Sequence, residues 1–120
     1  MKAVFPAPEA NLDDVLDLAH LRRYTLMDES LERELLTLFR EQARLQYAAA
    51  LGAPDQDAFR LAIHTLKGTA RAIGAVAVAQ VTETIERLRL DHVEARSHAE
   101  MLELARAIGA AENAIQSHLG

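Results

Sequence analysis

The chain has 120 residues, half of them hydrophobic, with a formal net charge of −5 and no cysteine. That length suits one domain with one core, and the lack of cysteine excludes disulfides, thiol catalysis and cysteine-based metal sites. The negative balance disfavours nucleic acid, whose phosphate backbone calls for clustered cations, and no apolar run approaches the roughly 20 residues that span a bilayer.

Residues 1–11 read as a lead ahead of the domain, with one lysine, two prolines and no apolar stretch of the signal-peptide kind. A soluble cytoplasmic protein is expected, and the leading methionine with one-domain length favours a free-standing chain. Alanine, leucine, glutamate and arginine dominate, β-branched clusters bounded by turns are missing, and the fold class expected over 12–120 is all-α.

A short helix is expected over Leu12 to Tyr24, with Asp13 and Asp14 near its positive end. Thr25 to Ser30 is polar and turn-like, and Asp28 is placed to cap the next helix. From Glu29 to about Ala50 one long amphipathic helix is expected, its inward stripe read as Leu31, Leu35, Leu38, Phe39, Leu45 and Ala49. Leu51-Gly52-Ala53-Pro54 stops it. Asp55 or Gln56 opens another helix, with Phe59, Ile63, Leu66, Ala70 and Ile73 inward, and Gly74 interrupts the pattern. A third long helix runs from about Ala75 to Leu90 through Val78, Val81, Ile85 and Leu88. After a turn at Asp91 and His92, a fourth spans Val93 to His118 through Met101, Leu104, Ala105, Ile108, Ala111 and Ile115. Short connections between four such helices predict an antiparallel up-down-up-down bundle with a short extra N-terminal helix.

The informative stretch is Ala62-Ile63-His64-Thr65-Leu66-Lys67-Gly68-Thr69-Ala70. At 100° per residue Leu66 lies about 160° from His64, so the apolar stripe faces away from it. Arg60, Lys67, Gly68 and Arg71 fall within about 60° of His64. A neutral imidazole is a nucleophile near physiological pH, and the three cations can steady an incoming phosphoryl group, lysine as a point charge and arginine as a fork. Gly68, one turn on, removes the side chain that would crowd the ring. A glycine inside a helix costs about 1 kcal/mol relative to alanine, which in an alanine-rich chain invites a functional reason. Each part alone has a plain explanation: close helix packing for Gly68, a solvated face for Arg60, Lys67 and Arg71. His20, His92, His98 and His118 are read as ordinary surface residues. The chain has eleven arginines against two lysines, Lys2 and Lys67. Codon bias accounts for the skew, and Lys67 is the single interior lysine.

His64-Thr65-Leu66-Lys67-Gly68-Thr69-Ala70, followed by Ile73-Gly74-Ala75, closely resembles the signature of histidine-containing phosphotransfer domains. Leu21 to Asp28 and Leu31 to Phe39 resemble the family's leading segment and first long helix, and Ile85-Glu86 resembles a hydrophobic-glutamate pair on the helix after the motif. The likeness covers roughly residues 15–90. Ile63 stands where a small residue often precedes the histidine, and Thr82 where cysteine is common; neither touches the reacting face. The resemblance implies a four-helix bundle with His64 exposed mid-helix as the phosphorylated residue, supported by Lys67 and Gly68, with Gly74 as a structural part of the motif. It also implies a phosphorelay role in bacterial two-component signalling. The chain would then carry phosphate without being an enzyme itself, since it shows no P-loop or kinase glycine loop. A response-regulator receiver domain is the expected partner, supplying the aspartyl phosphate and the Mg²⁺, with a hybrid sensor histidine kinase upstream. No cofactor or metal is expected on this chain. Arg60, Leu61 and Arg71 form the expected receiver-docking face, and the chain is expected to be a monomer without nucleic-acid or membrane partners. The rival readings are a non-transferring adaptor, which has no need of the His-Lys-Gly set, a metal hydrolase, which lacks converging ligands, and a helix-turn-helix protein, which lacks a basic recognition helix.

Overall fold

The computed structural model describes residues 15–91 and 98–120. Within them the chain forms five helices and no strand: α1 Leu18–Tyr24, α2 Glu29–Leu51, α3 Gln56–Ile73, α4 Val76–Asp91 and α5 His98–Leu119. The expected lead over 1–11, the helix start at Leu12 with Asp13 and Asp14, and the turn at His92 with the helix start at Val93 lie outside the described residues.

Aspartates start three of the helices, because a carboxylate satisfies a first-turn N–H that has no partner in the helix. The side chain of Asp17 accepts from the His20 N–H, Asp28 from Leu31 and Asp55 from Ala58. The first helix is shorter than its composition suggests. Leu16 and Asp17 are not helical, Leu16 is buried, and the Asp17 N–H donates to the Gly74 carbonyl at 2.8 Å. That bond and the Asp17 cap set the start of α1 at Leu18.

The second helix is rotated from the expected stripe. Leu36, Phe39, Ala43 and Ala50 are buried with Glu32, whereas Leu38 is 50% and Leu45 59% exposed, and Leu31 and Ala49 are also exposed. Leucines at seven-residue spacing mimic a seam. The buried row has the same spacing, Leu36, Ala43 and Ala50, with Phe39 beside it. On α3 the expected stripe is buried in full, joined by Ala62. On α4, Val78 and Ile85 are buried and Val81 and Leu88 half-buried. Thr82 is also buried, its hydroxyl donating to the Val78 carbonyl at 2.9 Å. On α5 the expected residues are buried except Ala105, which is half-buried.

The long helices pack in a ring, α2 on α3, α3 on α4, α4 on α5 and α5 back on α2, with α1 against α3. Side-chain pairs show α2 and α5 running antiparallel: Arg33 donates to the Leu119 carbonyl, Arg40 to Gln116, Arg44 to Glu112 and Tyr47 to the Met101 carbonyl. Lys67 with Glu86 and Arg71 with Glu83 show the same of α3 and α4.

Two histidines read as surface residues in fact tie elements together. His20 Nε2 donates to the Ala72 carbonyl at 3.2 Å, pinning α1 to the end of α3. His118 Nε2 meets Glu32 Oε2 at 2.5 Å, and Arg22 Nε donates to Glu32 Oε1 at 3.2 Å, joining α1, α2 and α5. Burial pushes the Glu32 carboxyl up, but the hydrogen bonds and charges of His118 and Arg22 outweigh it and hold the group below its ordinary value of 4.5. A lowered folded value stabilises the fold above that ordinary value, and the gain is lost as pH falls through the folded one. Unfolding by urea across pH should therefore show stability falling below about pH 4.5. Glu32→Gln should flatten that fall and cost about 1–2 kcal/mol at neutral pH. An unchanged acid profile in the variant would exclude Glu32 as its source.

Gly74 closes α3 in the left-handed region, at φ 84° and ψ 22°. The N–H groups of Gly74 and Ala75 both reach the Ala70 carbonyl, the latter at 2.8 Å, which satisfies the helix end as a Schellman-type stop. A Cβ at Gly74 would sit 2.7 Å from the Asp17 backbone oxygen. Left-handed strain costs roughly 1–2 kcal/mol for a residue with a side chain, and this overlap with backbone adds to it. Gly74→Ala should therefore lose about 3 kcal/mol in urea unfolding; an unchanged midpoint would contradict this account of the turn.

Candidate functional site

The face of α3 opposite the core carries His64. Phe59, Ile63, Leu66, Ala70 and Ile73 anchor the other side of the helix in the core, which fixes the rotation and leaves the His64 side chain 68% exposed. The sequence-predicted neighbours are on this face, but each cation is drawn to a carboxylate.

Glu86 on α4 is the organising group. Its Oε2 lies 3.1 Å from His64 Nδ1, and its Oε1 accepts from Lys67 Nζ. Burial pushes the Glu86 carboxyl up, yet the Lys67 and His64 hydrogen bonds, with the charges of both, leave it below the ordinary carboxylate value. Glu86 is therefore ionised at neutral pH. An ionised carboxylate only accepts, so the hydrogen between the two groups sits on Nδ1, and in the neutral form of the ring the lone pair is on Nε2. Lys67 is the least exposed of the three cations, at 16%.

Arg71 Nη2 lies 3.4 Å from Glu83 Oε1, and Arg60 Nη2 lies 3.4 Å from Asp57 Oδ1. Arg87 shares Glu83 at 3.9 Å. A hollow of about 330 Å³ is lined by Asp57, Arg60, Leu61, His64 and Glu86. Leu61 is exposed at its edge. Gly68 is exposed, and a Cβ placed on it meets nothing within 4 Å. Close helix packing therefore does not account for this glycine, which stands on the open face one turn from His64.

The structure thus brings His64, Arg60 and Leu61 around one hollow, joins Lys67 to it through Glu86, and sets Arg71 further along, against Glu83. Gly74 lies outside the site, at the end of α3. Sequence reasoning named Glu86 only as part of a pair with Ile85 and missed Glu83 and Asp57. A signal was present: Glu83 and Glu86, three apart on α4, match Arg71 and Lys67, four apart on α3. Among the described residues, no three histidine, aspartate or glutamate side chains converge to hold a metal ion, and no helix is long and apolar enough to cross a membrane.

Among known families, the model described as the Hpt domain matches residues 30–117, from the start of α2 almost to the end of α5. No curated protein and no solved structure matches the chain.

Proposed function

The chain belongs to the Hpt domain family, and on that premise we propose that His64 is the residue that takes and gives the phosphoryl group. Membership carries histidine phosphotransfer in a two-component phosphorelay and interaction with response-regulator receiver domains. The observation that carries the assignment to His64 is its exposed ring, held by Glu86 through Nδ1 so that Nε2 is left as the nucleophile.

The Nε2 lone pair attacks phosphorus of the acyl phosphate on the receiver's aspartate. The N–P bond forms as the P–O bond to the aspartate breaks, and the electron pair leaves with the carboxylate. The Nδ1 proton stays on the ring, shared with Glu86. Return transfer reverses each step. Such a reaction depends mainly on in-line positioning and charge neutralisation, and the receiver supplies the Mg²⁺. Lys67 keeps Glu86 ionised and in place, and Gly68 leaves room for the partner. Arg60, Leu61 and Arg71 form the docking face. The chain is a carrier without an ATP site of its own, working as a cytoplasmic monomer downstream of a hybrid sensor histidine kinase.

Incubation with a phosphorylated receiver and Mg²⁺ tests this. The expected product is an acid-labile, base-stable label on this chain. Tight receiver binding with no label from any receiver would replace the carrier with a non-transferring adaptor.

A further inference from the structure

The cations that sequence places around His64 are not equivalent in the fold. Lys67 is committed to Glu86, so its charge is largely offset before a phosphoryl group arrives. Arg71 is turned to Glu83. Arg60 lines the same hollow as His64, is 59% exposed, and among the described residues pairs with the still more exposed Asp57 one turn back on its own helix.

Direction along the helix carries the His64 ring toward the turn of Arg60. A helical side chain leans toward the N-terminus and covers the turn before its own Cα. The His64 ring therefore lies over the turn that carries Arg60 and Leu61. With Nδ1 tied to Glu86, Nε2 is the ring nitrogen available to that hollow.

We propose that Arg60 is a phosphate-binding cation of this chain in addition to Lys67: when His64 Nε2 gains a phosphoryl group, the Arg60 guanidinium leaves Asp57 and pairs with the phosphoryl oxygens. The proposal rests on the reading of His64 as the phosphoryl acceptor, and it gives Arg60 a role beyond docking. The exchange is favourable in direction. An exposed pair three apart on a helix is weak and screened by solvent, whereas a guanidinium fork on a phosphoryl dianion makes two charge-assisted hydrogen bonds. Asp57 then acts as a resting holder that competes with the phosphoryl group for Arg60.

Phosphoramidate is the probe, because it phosphorylates an accessible histidine without a protein partner and so takes docking out of the measurement. The P–N bond of the donor breaks, ammonia leaves, and the new N–P bond forms at Nε2. Labelling rate and the pH titration of the phosphohistidine ³¹P signal are read on the whole chain. Arg60→Gln should slow labelling roughly 5- to 10-fold and raise the phosphoryl titration midpoint by about half a pH unit, since a cation favours the dianion. Asp57→Asn should move both in the opposite direction. Both side chains are exposed, so circular dichroism should stay unchanged. Arg60→Gln and Asp57→Asn chains that label and titrate like the parent would overturn the proposal. A parent chain that takes no label from phosphoramidate or from any phosphorylated receiver would overturn the assignment of His64 instead.

Discussion

Replacing His64 with glutamine should abolish labelling from a phosphorylated receiver, a loss of at least about a thousandfold, while the fold should stay intact. The size of the effect comes from chemistry: an amide nitrogen gives its lone pair to its carbonyl and is no nucleophile. The safety of the substitution comes from structure. The ring is mostly exposed, its one hydrogen bond is to Glu86, and glutamine keeps an N–H that can reach that carboxylate. Surface substitutions of this kind shift stability by about half a kcal/mol at most, so urea unfolding of the two chains should coincide. Label surviving in His64→Gln would move the acceptor elsewhere, and His20 and His118 are poor substitutes. Both are half-buried and bonded through Nε2, to the Ala72 carbonyl and to Glu32.

The helix that carries His64 was legible because its pattern and its surroundings agree. Five apolar residues at helical spacing leave one polar face, and the fold buries all five. The second helix was misread for a physical reason. Its leucines at 31, 38 and 45 form a row, and hydrophobicity alone cannot tell which row faces the core. The row that the fold buries, Leu36, Ala43 and Ala50, has the same seven-residue spacing, and its two alanines make it the less hydrophobic of the two in sequence. The electrostatics of the site were half legible. Cations near His64 could be read from one helix; their carboxylate partners Glu83 and Glu86 belong to the next, and which residues face each other across two helices depends on their relative rotation. Asp57 was within reach, at three residues from Arg60 on the same helix.

Gly68→Gln separates the chemistry at His64 from the space around it. Transfer from a receiver should slow about 100-fold, in line with what a displacement near 1 Å costs an aligned reaction. Stability should rise by about 0.5–1 kcal/mol, because glutamine favours the helix interior over glycine. The opposite signs are the informative part. Nothing lies within 4 Å of a Cβ at this position, so the new side chain strains nothing inside the protein. It lies one turn beyond His64, leans back toward the ring, and on the proposed docking would fill the space through which the receiver brings its aspartate in line. Phosphoramidate is small enough to pass, so its labelling of His64 should fall far less than transfer from the receiver. Gly68→Ala should show the same stabilisation with a loss of only a few fold, since a methyl group reaches less far. A Gly68→Gln chain that is more stable and transfers at the parent rate would remove the steric role, leaving the exposed glycine in α3 without a reason in either packing or function.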